Sequence, residues 1–412
     1  MNATRRNRIV DELAATISLT QRSKMRMTFL AIVSCAALLV VSLRAAQRHA
    51  LMHAATPTAA VESTPTRELW VTHQRDDAIS ILKFPEGAFL EEFSLPAGTQ
   101  PHIITFHSGA FAYISGMGNG TLSIVDANSR QLVQTLTFAN SLCHQGKVSP
   151  DGTTMLVAVM STQTLYKVAV DEANRSWTPA GSVLFAQLGT GTNKPVCSVF
   201  RADSQRAYVS MMPSGIAIVD VPSMKILGTP LATDGFVACG MIKPRADANH
   251  AVVAASGGGG HIYTLDMTTD TLVDRGYLGG ARSWHSFNMT RDGKLGFGSS
   301  PLSDEVVTID LTTQPVTQLG TILLQPVPGA GNNQPDAFGG GEAIVDGTLP
   351  VSLRAAGQVA FIDADEREIK TFIPVASPVS PPGNFNKMTC IGCAVHGVTV
   401  RPKLRDGDRK ED

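Results

Sequence analysis

The sequence carries little charge: Asp, Glu, Lys and Arg make up 17% of 412 residues, with a formal net charge of -1. Beyond the N-terminal flank there is no basic block, which excludes electrostatic capture of nucleic acid. Long helical heptads are absent, so an extended helical architecture has no support. No serine-histidine-aspartate order and no paired-carboxylate spacing stands out. The stretch "CIGCAVHGVTVRP" (390–402) lacks a histidine directly after its second cysteine; Ala394 follows Cys393 and the histidine is His396. Covalent haem c attachment is thereby excluded. The stretch "SGGGGH" (256–261) has the composition of a phosphate loop but opens no helix, which excludes nucleotide binding on that motif.

Hydrophobic residues make up 43% of the chain, enough for a large core and too many for a disordered protein. With 37 glycines and 23 prolines the composition suits many short strands joined by tight turns. Residues 1–45 stand apart. Arg22, Lys24 and Arg26 precede "TFLAIVSCAALLVVSL" (28–43), a charge-free run with the character of a signal-peptide core or short membrane anchor. The cationic flank lies on its N-terminal side, so the positive-inside rule sends the rest of the chain out of the cytoplasm, to periplasm or cell surface. Met25 or Met27 is an alternative start. Residues 46–67 read as a linker and 403–412 as a charged tail.

Between them, a unit repeats. Its third strand is the easiest to see: "AISILK" (78–83), "TLSIVD" (121–126), "YKVAVD" (166–171), "GIAIVD" (215–220), "IYTLD" (262–266), "VVTID" (306–310) and "VAFID" (359–363). Their ends are spaced 43, 45, 49, 46, 44 and 53 residues apart. A period in the forties with four strands per unit predicts a β-propeller. The turns "SPDG" (149–152), "RADS" (201–204) and "TRDG" (290–293) fall where the innermost strand of a blade reverses. The first unit begins with its second strand, "ELWVT" (68–72), and the spare strand is "HGVTVRP" (396–402) at the other end of the chain. The prediction is an all-β, seven-bladed propeller of four-stranded antiparallel blades over 68–402, its ring closed by the C-terminal strand pairing into blade 1, so that no edge is left exposed.

The blade pattern of "VHGVTVRP" and "CHQGKVSPDG" (143–152) resembles that of the YVTN-type seven-bladed propellers, a superfamily with lactonase-like and haem-d1-like members. The resemblance covers 68 to about 402 and is a fold signature, not a signature of one activity. It implies that the first residue of each innermost strand lines the mouth of the central channel. Read around the ring, that position holds His396, His102 and His144 in blades 1 to 3. Blade 4 has Val196 beside Cys197, blade 5 has Ala238 beside Cys239, blade 6 has His285, and blade 7 has glycines 339–341 followed by Glu342. In this superfamily such a histidine can also serve as a clamp between blades.

Three imidazoles on consecutive blades suit a transition metal, copper or iron, and the resemblance adds a haem-like cofactor. His285 is a fourth candidate ligand, and Cys143, Cys197, Cys239 and Glu342 are candidate cofactor contacts. Met117, Met160, Met211 and Met212 fall near the same face. Cys390 and Cys393 read as a disulfide, a redox pair or a metal clasp with His396. The functions expected are extracytoplasmic redox chemistry or metal handling, or metal-free recognition of a small ligand or envelope protein on the top face. A lactonase-like hydrolase is a third, weakened because no acidic residues recur at the mouth to hold calcium.

Overall fold

Each expected third strand forms, from Ala78–Phe84 in blade 1 to Gln358–Asp363 in blade 7. The structure is a computed structural model that describes residues 67–402 except 190–191, 248, 280–283, 301–304, 325–334, 337–343, 355–356 and 376–394. The apolar run 28–43, the linker up to 66, Glu342, the Cys390–Cys393 pair and the tail 403–412 lie outside the described residues.

The described strands make seven four-stranded antiparallel sheets, one per blade. Innermost are Val395–Val400, Pro101–Phe106, Cys143–Val148, Lys194–Phe200, Ile242–Pro244, Ser286–Met289 and Pro335–Asp336 for blades 1 to 7. Because each blade packs against another on both faces, the middle strands are largely apolar; Phe111–Gly116 is buried along its whole length. The outermost strand of blade 1, Phe89–Ser94, faces solvent at alternate positions. The core therefore consists of clusters between blades, such as Leu156, Phe200 and Val209 between blades 3 and 4. The three tryptophans, Trp70, Trp177 and Trp284, are among the largest fully buried side chains.

The expected reversals are present. Gly152 and Gly293 sit at φ +75° and +70°, and Ser204 takes the same left-handed position at +62°. In blade 3 the turn is fixed by Asp151, which accepts from the Ser149 hydroxyl and the Thr153 amide.

Closure follows the strand count. Val395–Val400 pairs antiparallel with Arg67–His73, placing Leu69 opposite Val400 and Val71 opposite Val398. Arg401 extends the seam: its amide donates to Glu68 O, and its guanidinium reaches Gly109 O at 2.7 Å and Ala127 O at 2.9 Å in blade 2. In blade 7 the described part of the innermost strand is Pro335–Asp336, with Pro335 paired opposite Leu353 and Asp336 opposite Ser352; the glycines 339–341 lie outside the described residues.

Candidate metal centre at the channel mouth

The histidines reach the mouth because of a repeated irregularity. In blades 1 to 4 the innermost strand carries one extra residue against the second strand: between Val395 and Val398, Pro101 and Ile104, Cys143 and Gln145, and Pro195 and Cys197. A β-bulge re-aims a side chain out of the normal alternation. Here the residues in the bulges include His396, His102, His144 and Val196.

A hydroxyl on the second strand holds most of these bulges and ties them to the next blade. Thr72 Oγ1 accepts from Gly397 N at 2.7 Å and donates to His102 O at 3.2 Å. Ser115 Oγ accepts from Ile103 N and donates to His144 O at 2.8 Å. Ser352 of blade 7 donates to His396 O at 2.6 Å. The backbone of each histidine in blades 1 to 3 is thus fixed by the preceding blade, and their rings meet. His102 stacks on His396 with centroids 3.8 Å apart and meets His144 edge-on at 4.4 Å. His285 approaches His396 at 6.2 Å, and Arg354 Nη2 lies 3.4 Å from His285 Nε2.

Such packing requires neutral rings. Burial holds His144 down to about 4. Burial, then the neighbouring imidazoles and Arg354, holds His102 and His396 well below 6.5; for His285 burial and Arg354 lead. At neutral pH the four rings are uncharged and each offers a lone pair to a ligand or a proton donor.

His144 is the hub. Its Nε2 lies 3.1 Å from His102 Nε2, and its Nδ1 lies 3.2 Å from Cys239 Sγ and 3.6 Å from Cys197 Sγ. Among the described residues, His144, Cys197 and Cys239 form the one group of three whose ligand atoms lie within 4.8 Å of one another, and this group can hold a metal ion. The same two cysteines also meet sulfur to sulfur as a disulfide, with Cα atoms 5.3 Å apart. Reduced, they offer two sulfurs to an ion beside an imidazole nitrogen, a donor set suited to soft and borderline transition metals. A tetrapyrrole does not fit between imidazoles stacked at 3.8 and 4.4 Å, so these rings suit a bare ion.

A chain of hydrogen-bonding contacts leads into the hub. Gln74 Nε2 lies 2.7 Å from His102 Nδ1, and Gln74 Oε1 is buried with no hydrogen-bond partner. With the amide donating, His102 carries its proton on Nε2 and passes a hydrogen bond to His144 Nε2, whose own proton then sits on Nδ1 facing the sulfurs. For His144 Nδ1 to ligate an ion the chain must run the other way, ending on Gln74 Oε1.

Of the residues singled out in the sequence, His102, His144, His396, His285, Cys197 and Cys239 come together here. Cys143 does not join them. It is paired opposite Val159, packs with Leu122, Val157 and Trp177, and burial pushes its thiol up to about 12. Met212 packs against Ile103, Val196 and the two cysteines, and it also lines a cavity of about 370 Å³ with Gln163, Thr192, Lys194 and Pro213. Met117 and Met211 are buried. Sequence reasoning missed Gln74, Arg354 and the tethering hydroxyls. It also missed His73, a fully buried imidazole with neither ring nitrogen hydrogen-bonded, held down to about 4 by burial. The Cys197–Cys239 pairing had a signal: the two are 42 residues apart, one blade period.

No family model matches the chain, and no curated protein matches it. Solved structures do. A functionally unknown protein from Desulfotomaculum acetoxidans DSM 771 aligns with a TM-score of 0.58 at 12% identity, covering 81% of this chain and 99% of that one. Hydrazine synthase of Kuenenia stuttgartiensis aligns at 0.53 and 15% identity, over 69% of this chain and 88% of that one. Dihydro-heme d1 dehydrogenase NirN, in complex with DHE, aligns at 0.53 and 15% identity, over 81% and 78%. At these identities the likeness is one of fold: the chain is a seven-bladed β-propeller similar in architecture to these proteins.

Proposed function

We propose that the protein is an extracytoplasmic metal-binding propeller. It holds a copper or iron ion at the channel mouth through His144 and the reduced Cys197–Cys239 pair, with His102 and His396 as further imidazoles, and serves redox chemistry or metal handling. The observation that carries this is the convergence of His144 Nδ1 with both sulfurs inside 4.8 Å, at the end of a row of neutral, buried imidazoles. Thiolate with imidazole favours copper or iron over hard cations such as calcium. The charge-free run 28–43 behind its cationic flank, read as a signal-peptide core or short membrane anchor, supports the compartment, and the likeness to hydrazine synthase and NirN supports a redox setting.

The disulfide favours a second reading. With both sulfurs joined, the mouth is a stapled, metal-free surface that recognises a small ligand or an envelope protein. One titration separates the two. Protein exported by its native host is analysed for metal, then titrated with copper(I) before and after reduction by a non-coordinating phosphine. The metal reading expects one equivalent bound after reduction, lost in His144→Ala. No stoichiometric binding in either redox state overturns it.

A further inference from the structure

A second cluster lies lower in the same channel. In each blade the residue two places before the turn-closing amide occupies one level of the ring. Those amides are Arg401 N to Glu68 O, Ser149 N to Thr154 O, Arg201 N to Arg206 O, Arg245 N to His250 O, and Thr290 N to Leu295 O. The level therefore holds Thr399, Lys147, Val199, Lys243 and Asn288 in blades 1, 3, 4, 5 and 6, and Thr105 by its pairing with Tyr113 in blade 2.

In blades 1 and 2 the polar group at this level is used between blades. Thr399 Oγ1 donates to Ile104 O at 2.9 Å and Thr105 Oγ1 to Gly146 O at 2.5 Å. Blades 5 and 6 break the pattern. Asn288 is 2% exposed, yet neither its amide nitrogen nor its oxygen has a hydrogen-bond partner. Lys243 has no hydrogen-bond or ion-pair partner among the described residues. The innermost strands of blades 1 to 6 contain no Asp or Glu to balance it.

Both lysines are surrounded by protein while keeping part of their surface accessible, as expected for side chains that open onto an enclosed channel. Burial, and for Lys243 the charge of Lys147 as well, brings them down to about 8 and about 7. A buried amide without a partner and a half-buried, enclosed amine with none among the described residues are each costly, and one ligand relieves both.

We propose that Lys147, Lys243 and Asn288 form a binding site for a small, singly charged anion in the channel below the histidines. The ammonium groups supply charge and donors, and the Asn288 amide nitrogen a further donor. Val199, at the same level between the lysines, leaves an apolar wall that suits a weakly hydrated anion such as nitrate or bromide over sulfate.

The test uses the full chain, metal-free and fully reduced, so that its outcome does not depend on the mouth. Bromide binding is followed by bromine NMR line width, and crystals soaked in sodium bromide are examined for an anomalous peak. Saturable binding with a peak between Lys243 and Asn288 is expected, weakened at least tenfold in Lys243→Met and several-fold in Asn288→Leu. The exposed control Lys225→Met should bind like the parent. Should Lys243→Met fail to fold, Lys147→Met carries the same expectation. Bromide peaks confined to the outer surface, or a folded Lys243→Met or Lys147→Met that binds like the parent, would overturn the site.

Discussion

The two levels of the channel are built on the same strands, three or four residues apart, and they treat their ionisable groups in opposite ways. At the mouth, burial removes charge from His102, His144, His285 and His396, and neutral rings can then stack at 3.8 Å. Below, burial acts on Lys147 and Lys243, whose intrinsic basicity is far higher, and brings them only to about 8 and about 7. The same environment thus leaves neutral ligand nitrogens at one level and two basic amines with lowered values at the other. The ring scaffold does not decide the chemistry; the residue type placed at each level does.

The largest expected effect removes what the two levels share. Ending the chain before Val395 deletes the innermost strand of blade 1, and with it His396, Thr399 and the Arg401 contacts. It exposes an edge of Arg67–His73 to other chains. Loss of soluble, cooperatively melting protein is expected; a truncated chain that melts like the parent would refute ring closure as a source of stability.

Next come substitutions that act on one level alone. His144→Ala should lower metal affinity by at least a hundredfold, since it removes the nitrogen that faces both sulfurs. His102→Ala and His396→Ala should lower it about tenfold, roughly the 1.4 kcal/mol of one modest contact, and His285→Ala less. Lys243→Met should leave metal affinity unchanged. Metal affinity and melting temperature measured across this series test whether the levels are separate sites. A Lys243→Met effect on the metal as large as that of His102→Ala would merge them.

Acid separates the levels in another way. His73 and His144 are held to about 4, below the 6.5 of an unfolded histidine, so between those values the unfolded chain binds protons that the folded one refuses. Stability is fully present above pH 6.5 and falls as the pH drops towards 4, with a slope approaching 1.4 kcal/mol per pH unit for each such histidine. The lysines act in a different window. Their lowered values mean that stability rises from about pH 7 towards 10.5, and addition of a bound anion should flatten that rise. Urea midpoints across pH, with and without bromide, measure both slopes.

Much of the fold was legible because a propeller writes itself as a period. The acidic ends of the third strands, the aspartate-glycine turns and the spare strand at 396–402 are local signals repeated six, two and one times. At the mouth, the register position of His396, His102 and His144 was legible for the same reason. What aims them was not, because a β-bulge leaves no mark on residue type. Nor was the Thr72 and Ser115 tethering, since a hydroxyl in an apolar strand reads equally well as filler. The lysine level stayed hidden because Lys147 and Lys243 read as ordinary strand residues until each is placed two residues before its turn. Cys197 and Cys239 were visible as neighbours of one register position but not as partners, which only the adjacency of blades 4 and 5 supplies.

The smallest effect expected is the most diagnostic of how the mouth works. Gln74 meets His102 in the hydrogen-bond chain, at 2.7 Å, so its role is to set the His102 tautomer rather than to ligate. In metal-free protein its amide nitrogen favours His102 with the proton on Nε2. Ligation through His144 Nδ1 requires the reverse, with the His102 Nδ1 proton accepted by Gln74 Oε1. Gln74→Leu removes both options, but unequally, because a buried N–H left without an acceptor costs more than a nitrogen lone pair left without a donor. The loaded state is therefore hurt more, and metal affinity should fall by roughly five- to tenfold, about 1 kcal/mol. Nitrogen-15 shifts of His102 supply a readout that mere loss of packing does not move. In the parent they should switch from the Nε2–H to the Nδ1–H tautomer on metal addition; in Gln74→Leu the switch should be incomplete at saturating metal. A parent whose His102 keeps one tautomer with and without metal would rule out ligation through His144 Nδ1 and place the ion among the Nε2 atoms instead.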